Sequence, residues 1–97
     1  MNELIAALQA IESDPSFVGN RRDYLTDGEY DELHPLVQNV VDLADGELIT
    51  NTGSCNWTAH KLLKDAGFPV TCGERDSFGW LSGVIHTKKG MVVYGWN

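Results

Sequence analysis

The chain changes period at Gly67, and no other feature limits its fold so much. Upstream, apolar residues recur three and four apart, as one face of a helix requires. Downstream they come in short runs rich in Val, Ile, Trp and Tyr, separated by Gly and Asp, as strands require. Helices first and strands afterwards leave no βαβ alternation from which to build a parallel sheet. The order predicts an α+β fold, about three helices followed by a C-terminal antiparallel sheet of about three strands. A chain of 97 residues suffices for one modest core, so residues 1–97 are expected to form a single domain.

The elements follow from local signals. Leu4, Ile5, Leu8 and Ile11 share a helical face that Asn2 is placed to cap. Asp14, ahead of Pro15, is disfavoured from helical backbone and ends this helix near Ser13. Residues 15–25 read as a loop anchored by Phe17 and Val18. Thr26-Asp27-Gly28-Glu29 has the form of a capping box and predicts a short helical segment, broken at His34. Pro35 suits the first position of the next helix, expected over 35–45 and stopped by Gly46, with Leu36, Val37, Val40, Val41 and Ala44 facing inward. Residues 47–50 predict a short strand. Ser54 or Asn56 can cap a third helix running to Ala66, with Ala59, Leu62, Leu63 and Ala66 on its core face and Gly67 just beyond its end. "FPVTC", "GWLSGVIHT" and "MVVYGW" supply the strands. Lys88-Lys89-Gly90 suits a three-residue hairpin loop with Gly90 left-handed. In 76–83, Gly79 and Gly83 permit a bend or bulge. Trp57 and Trp80 are expected to bridge sheet and helices, which leaves Trp96 as a candidate contact residue.

Charge is unevenly placed along this framework. The formal net charge is −7, but residues 1–60 carry eleven acids against two bases, −9, while residues 61–97 carry three acids against five bases, +2. Within residues 23–47 stand Asp23, Asp27, Glu29, Asp31, Glu32, Asp42, Asp45 and Glu47, with no Lys or Arg among them. Like charges three or four apart on a helix destabilise it by roughly 0.2–0.5 kcal/mol per pair. A segment that accepts this without local relief is a candidate partner-binding surface. On helical spacing, Asp27 with Asp31 and Glu29 with Glu32 would sit about 5–6 Å apart. A duplex sets one phosphate every ~3.4 Å along each strand, so a ridge of such carboxylates can stand in for a nucleic-acid backbone in a groove lined with Lys and Arg.

Other chemistries are less well supported by the residues. Cys55 at a helix start, with His34, His60 or His86 as base, outlines a thiol enzyme, but no catalytic signature surrounds either residue type. Cys55, His60, Cys72 and His86 could ligate zinc, yet lack the short Cys-x2-4-Cys knuckle of a strong site. A winged-helix reading takes residues 56–66 as recognition helix and the 86–91 hairpin as wing, with Lys61, Lys64, Arg75, Lys88 and Lys89 on phosphates. The negative total charge opposes it. No catalytic set, cofactor or metal is therefore expected. No apolar run approaches the roughly 20 residues of a membrane span, and the start "MNELIAALQAIESD" lacks signal-peptide features. The expectation is a cytoplasmic protein whose two cysteines are free thiols, in which the Asn56-Trp57-Thr58 acceptor motif is accidental.

In its size and charge distribution the whole chain resembles the phage-encoded anti-CRISPR proteins, in particular those that imitate DNA. The resemblance implies a non-enzymatic inhibitor acting in the host cell cytoplasm. Its acidic surface would occupy the basic groove of a CRISPR surveillance complex or another nucleic-acid-handling assembly, as a monomer or weak homodimer.

Overall fold

In the computed structural model, which describes residues 1–75 and 81–95, three helices precede a three-stranded sheet. These are α1 (Asn2–Ser13), α2 (Pro35–Glu47), α3 (Trp57–Asp65), β1 (Val70–Arg75), β2 (Leu81–His86) and β3 (Met91–Tyr94). The sheet is antiparallel in the order β1-β2-β3. This is the α+β arrangement expected from the change of period. The stretch 76–80 and residues 96–97 lie outside the described residues, and with them Phe78, Gly79, Trp80 and Trp96.

Register decides which strand residues face the helices. Val70 pairs with Ile85 and Ile85 with Val92, while Cys72 pairs with Gly83 and Gly83 with Tyr94. Partners across a ladder share a face, so these six line one side. Ile85, Val92 and Tyr94 on it are buried. Helix α2 packs on β3, α1 packs on α2, and α3 packs on β1. Leu4, Leu8, Ile11, Val37, Val40, Val41 and Ala44 therefore meet in one core. The shift of register between Cys72 and Arg75 leaves one extra residue in β1, a bulge that twists the strand.

The free rim of β3 is covered by the chain leading to the acidic segment. Leu25 N–H donates to Met91 O at 2.8 Å, and Met91 N–H to Asp23 O at 2.7 Å. Val93 N–H donates to the Thr26 hydroxyl at 3.3 Å. Thr26 consequently does not cap a helix. The expected capping box is absent, and only a single 3-10 turn forms, over Tyr30–Glu32, with no side-chain cap.

Several further expectations are corrected by packing. Met1, not Asn2, stands at the N-cap of α1, without a side-chain hydrogen bond. Helix α2 runs past Gly46 to Glu47, because Leu48 is fully buried and its N–H closes on Ala44 O at 2.8 Å. Residues 47–50 make no strand. An isolated bridge, Ile49 to Cys55, closes a short loop instead. On α3 the buried face is Ala59, His60 and Leu63, whereas Leu62 and Ala66 are exposed. The helix is rotated from the expected face because His60 points inward to a partner. Val18 is exposed, although Phe17 is buried as expected. The β2–β3 loop holds four residues, since His86 and Met91 are the last pair. The Thr87 hydroxyl closes it by donating to Gly90 O at 2.7 Å. Gly90 has φ +152°, positive but not left-handed helical, and a Cβ there would lie 2.6 Å from Asp23 O.

Candidate functional site

The eight carboxylates do not form one regular helical ridge. Asp27 and Glu29 lie outside any helix, and Asp31 and Glu32 share the 3-10 turn, so the helical spacing expected for the two pairs does not apply. Asp42, Asp45 and Glu47 lie on the C-terminal half of α2, where the helix dipole disfavours negative charge. Each of these three has a donor close by. Tyr30 Oη donates to the Asp42 carboxylate, 2.7 and 2.9 Å from its oxygens. Gly95 N–H donates to Asp45, and the Met1 ammonium pairs with Glu47 at 3.2 Å. Asp23 accepts from Asn20 N–H at 2.8 Å and lies beside Gly19, next to the hairpin loop. It belongs to a different neighbourhood.

The remaining four differ. Asp27, Glu29, Asp31 and Glu32 are exposed. Among the described residues, no hydrogen bond or ion pair engages their side chains. The loop that bears them is nevertheless fixed at both ends. Leu25 and Thr26 are held on the rim of β3, and Leu33 is buried in the core. Between them Tyr30 is clamped twice, through Asp42 and through Gln38 Nε2, which donates to Tyr30 O at 2.7 Å. The Asp42 hydrogen bond is the main cause that raises the Tyr30 pKa, followed by desolvation and by the charges of Asp42, Asp31 and Asp45. Carboxylates on two elements, the 3-10 turn and α2, thus act on one phenol, and Asp42 is the one in contact with it. Sequence reasoning passed over Tyr30, because a tyrosine among acids carries no signature until its partner on α2 is known.

A second constellation lies on α3. Asn56 is the N-cap, accepting from Ala59 N–H at 3.2 Å, while its amide donates to Glu47 O at 3.1 Å. This places Trp57, His60, Lys61 and Lys64 at i, i+3, i+4 and i+7 along one side of the helix. Trp57 is 69% exposed, contrary to its expected core role, whereas His60 is only 6% exposed. Their rings meet edge-on with centroids 5.3 Å apart. On its other side His60 Nε2 is 3.1 Å from Tyr94 Oη, in a buried hydrogen bond. Burial pushes the His60 pKa down and, with Asp45 adding a smaller contribution, pushes Tyr94 up to about 12. Both groups are therefore neutral near pH 7. Gly83 makes room for this contact, since a Cβ there would lie 2.4 Å from Tyr94 Oη.

Cys55 and Cys72 form a disulfide, with Cα atoms 6.3 Å apart. The expectation of two free thiols is corrected, and no thiolate is present for the thiol-enzyme reading. The same bond takes two donors from the candidate zinc set. The hairpin loop is not a projecting wing either: Lys88 N–H donates to Glu12 at 2.8 Å, and Lys89 Nζ donates to Phe17 O at 3.0 Å. Among the described residues, no helix is long and apolar enough to cross a membrane. Compared with known proteins, the chain matches no family model, no curated protein and no solved structure.

Proposed function

We propose that this chain is a non-catalytic binding protein whose acidic loop occupies a basic nucleic-acid-binding surface on another protein. The observation that carries the reading is the state of Asp27, Glu29, Asp31 and Glu32, which are exposed and, among the described residues, without partners on a loop anchored at both ends. A solubilising charge needs no fixed position, whereas imitation of phosphates does. An anchored loop also gives up little conformational freedom on binding, so more of the charge attraction remains as affinity. Asp42, Asp45 and Glu47 widen the negative field around this quartet, and Asp23 contributes at longer range. Nucleic-acid-handling assemblies of the CRISPR type, which receive nucleic acid in Lys- and Arg-lined channels, are the class of partner that suits it. Inhibition would follow from occupancy alone.

The cytoplasm is the compartment this function requires. The disulfide pulls the other way, because such bonds persist chiefly in oxidising compartments. Neither cysteine belongs to the acidic loop, so the binding role does not depend on the bond.

The experiment pairs Asp31→Lys with Glu32→Lys. The target is captured from host lysate with the parent chain, and its binding to labelled nucleic acid is measured with and without inhibitor. The expected outcome is loss of at least tenfold in inhibition (~1.4 kcal/mol) with an unchanged fold by circular dichroism. Parent-level inhibition by the double variant would overturn the assignment. Charge complementarity acts strongly on association, so the on-rate should also fall as salt rises.

A further inference from the structure

The second constellation frames an open cleft of about 420 Å³, lined by Trp57, His60, Lys61, Lys64, Asp65 and Val70. We infer that it is a binding site for a planar aromatic ring carrying a phosphate, as presented by a free nucleotide or by one nucleotide of a single strand. The inference does not rest on the acidic loop.

Four features of the cleft point to this chemistry. A tryptophan 69% exposed and lining the cleft offers a stacking platform. Base–aromatic stacking contributes roughly 1–3 kcal/mol per base. The platform is oriented, because its ring packs at a steep angle against the buried His60 ring, which is itself held by Tyr94. Lys61 and Lys64 follow at one and two helical turns, a rise of about 6 and 10 Å. Among the described residues neither has an ion-pair partner, so both ammonium groups are available to a phosphate attached to the stacked ring. The Asp65 carboxylate, at the far end of the helix, offers an acceptor for a sugar hydroxyl or an exocyclic amine.

The shape of the cleft is also set in advance. Helix α3 forms one wall and Val70 of β1 the other. The Cys55–Cys72 bond ties the residue before the α3 N-cap to β1, two residues beyond Val70. The volume falls within the range of pockets that hold small ligands, about 300–1,000 Å³. Of the charged residues that line the cleft, Lys61 and Lys64 outnumber Asp65, so its local charge is positive although that of the whole chain is −7.

The test uses the intact chain, labelled with ¹⁵N, titrated separately with adenosine 5′-monophosphate, adenosine, inorganic phosphate and a single-stranded adenylate oligonucleotide. The monophosphate should produce saturable shifts of the Trp57 indole N–H and of the amides of Lys61, Lys64 and Val70. Adenosine and phosphate alone should each bind about tenfold or more weakly. Trp57→Ala should abolish the shifts at Lys61 and Lys64. The paired changes Lys61→Ala and Lys64→Ala should weaken the monophosphate about tenfold while leaving adenosine unaffected. An oligonucleotide that binds more tightly per nucleotide than the monophosphate identifies a strand as the ligand, and equal binding per nucleotide identifies a free one. The inference is overturned if neither phosphate-bearing ligand shifts these amides at concentrations up to about 10 mM. It is equally overturned if the Trp57 variant, with an otherwise unchanged spectrum, binds as well as the parent.

Discussion

Tyr94 and Gly46 show how much a single residue can decide in this chain, in opposite senses. Tyr94 is buried with its hydroxyl on His60. Tyr94→Phe would leave the imidazole without its buried partner, at about 1–3 kcal/mol, measurable as a lower urea midpoint. The pair also sets a pH window. The His60 pKa is held below its ordinary 6.5, so in acid the unfolded chain takes the proton first, and stability falls as pH drops below 6.5. Tyr94 is raised from 10.0 to about 12, so the folded chain keeps its proton longer, and stability falls as pH rises from 10.0 toward 12. Urea midpoints measured across pH should show both limbs, and Tyr94→Phe should remove its own contribution to the alkaline one. Gly46 is the reverse case. It sits inside α2, has ordinary helical backbone, and nothing lies within 4 Å of where a Cβ would be. Gly46→Ala should therefore stabilise the fold by about 0.5–1 kcal/mol, read as a higher melting temperature.

At the scale of elements, the acidic loop depends on contacts that its own sequence does not announce. Tyr30→Phe removes the hydroxyl that reaches Asp42. It should raise hydrogen-exchange rates across residues 27–32 while changing global stability by no more than about 1 kcal/mol, because the contact lies at the surface. This loop also shows where sequence reasoning stops. The helix faces of α1 and α2 were legible because their apolar residues repeat with the helical period, and Pro15 and Pro35 mark boundaries by sterics alone. The capping-box reading of Thr26 failed because a hydroxyl can serve any nearby N–H, and that of Val93, 67 residues away, won. Gly46 failed as a stop because burial of Leu48 outweighs the modest helix cost of one glycine. The inward turn of His60 was invisible for the same reason: its partner is 34 residues distant. Of the candidate site, the identity of the carboxylates was readable, but their division into partnered and unpartnered groups was not.

For the molecule as a whole, the disulfide has the largest calculable effect. Cys55 and Cys72 close a loop with a sequence separation of 17, for which chain entropy gives roughly 3 kcal/mol of stabilisation. Cys55→Ser, or reduction of the parent, should lower the urea midpoint by a corresponding amount and raise hydrogen-exchange rates in α3 while leaving those across residues 27–32 unchanged. Thiol titration of protein recovered from the cytoplasm, compared with protein exported to an oxidising compartment, reports in which of them the bond forms. The sheet has a consequence of its own. The rim of β3 is already occupied by the backbone leading from Asp23 to Thr26, while among the described residues β1 has no strand on its outer side. Any growth by strand templating, whether into ordered fibrils or amorphous aggregate, must start at β1, beside the bulge whose twist makes that edge a poor mould for another chain.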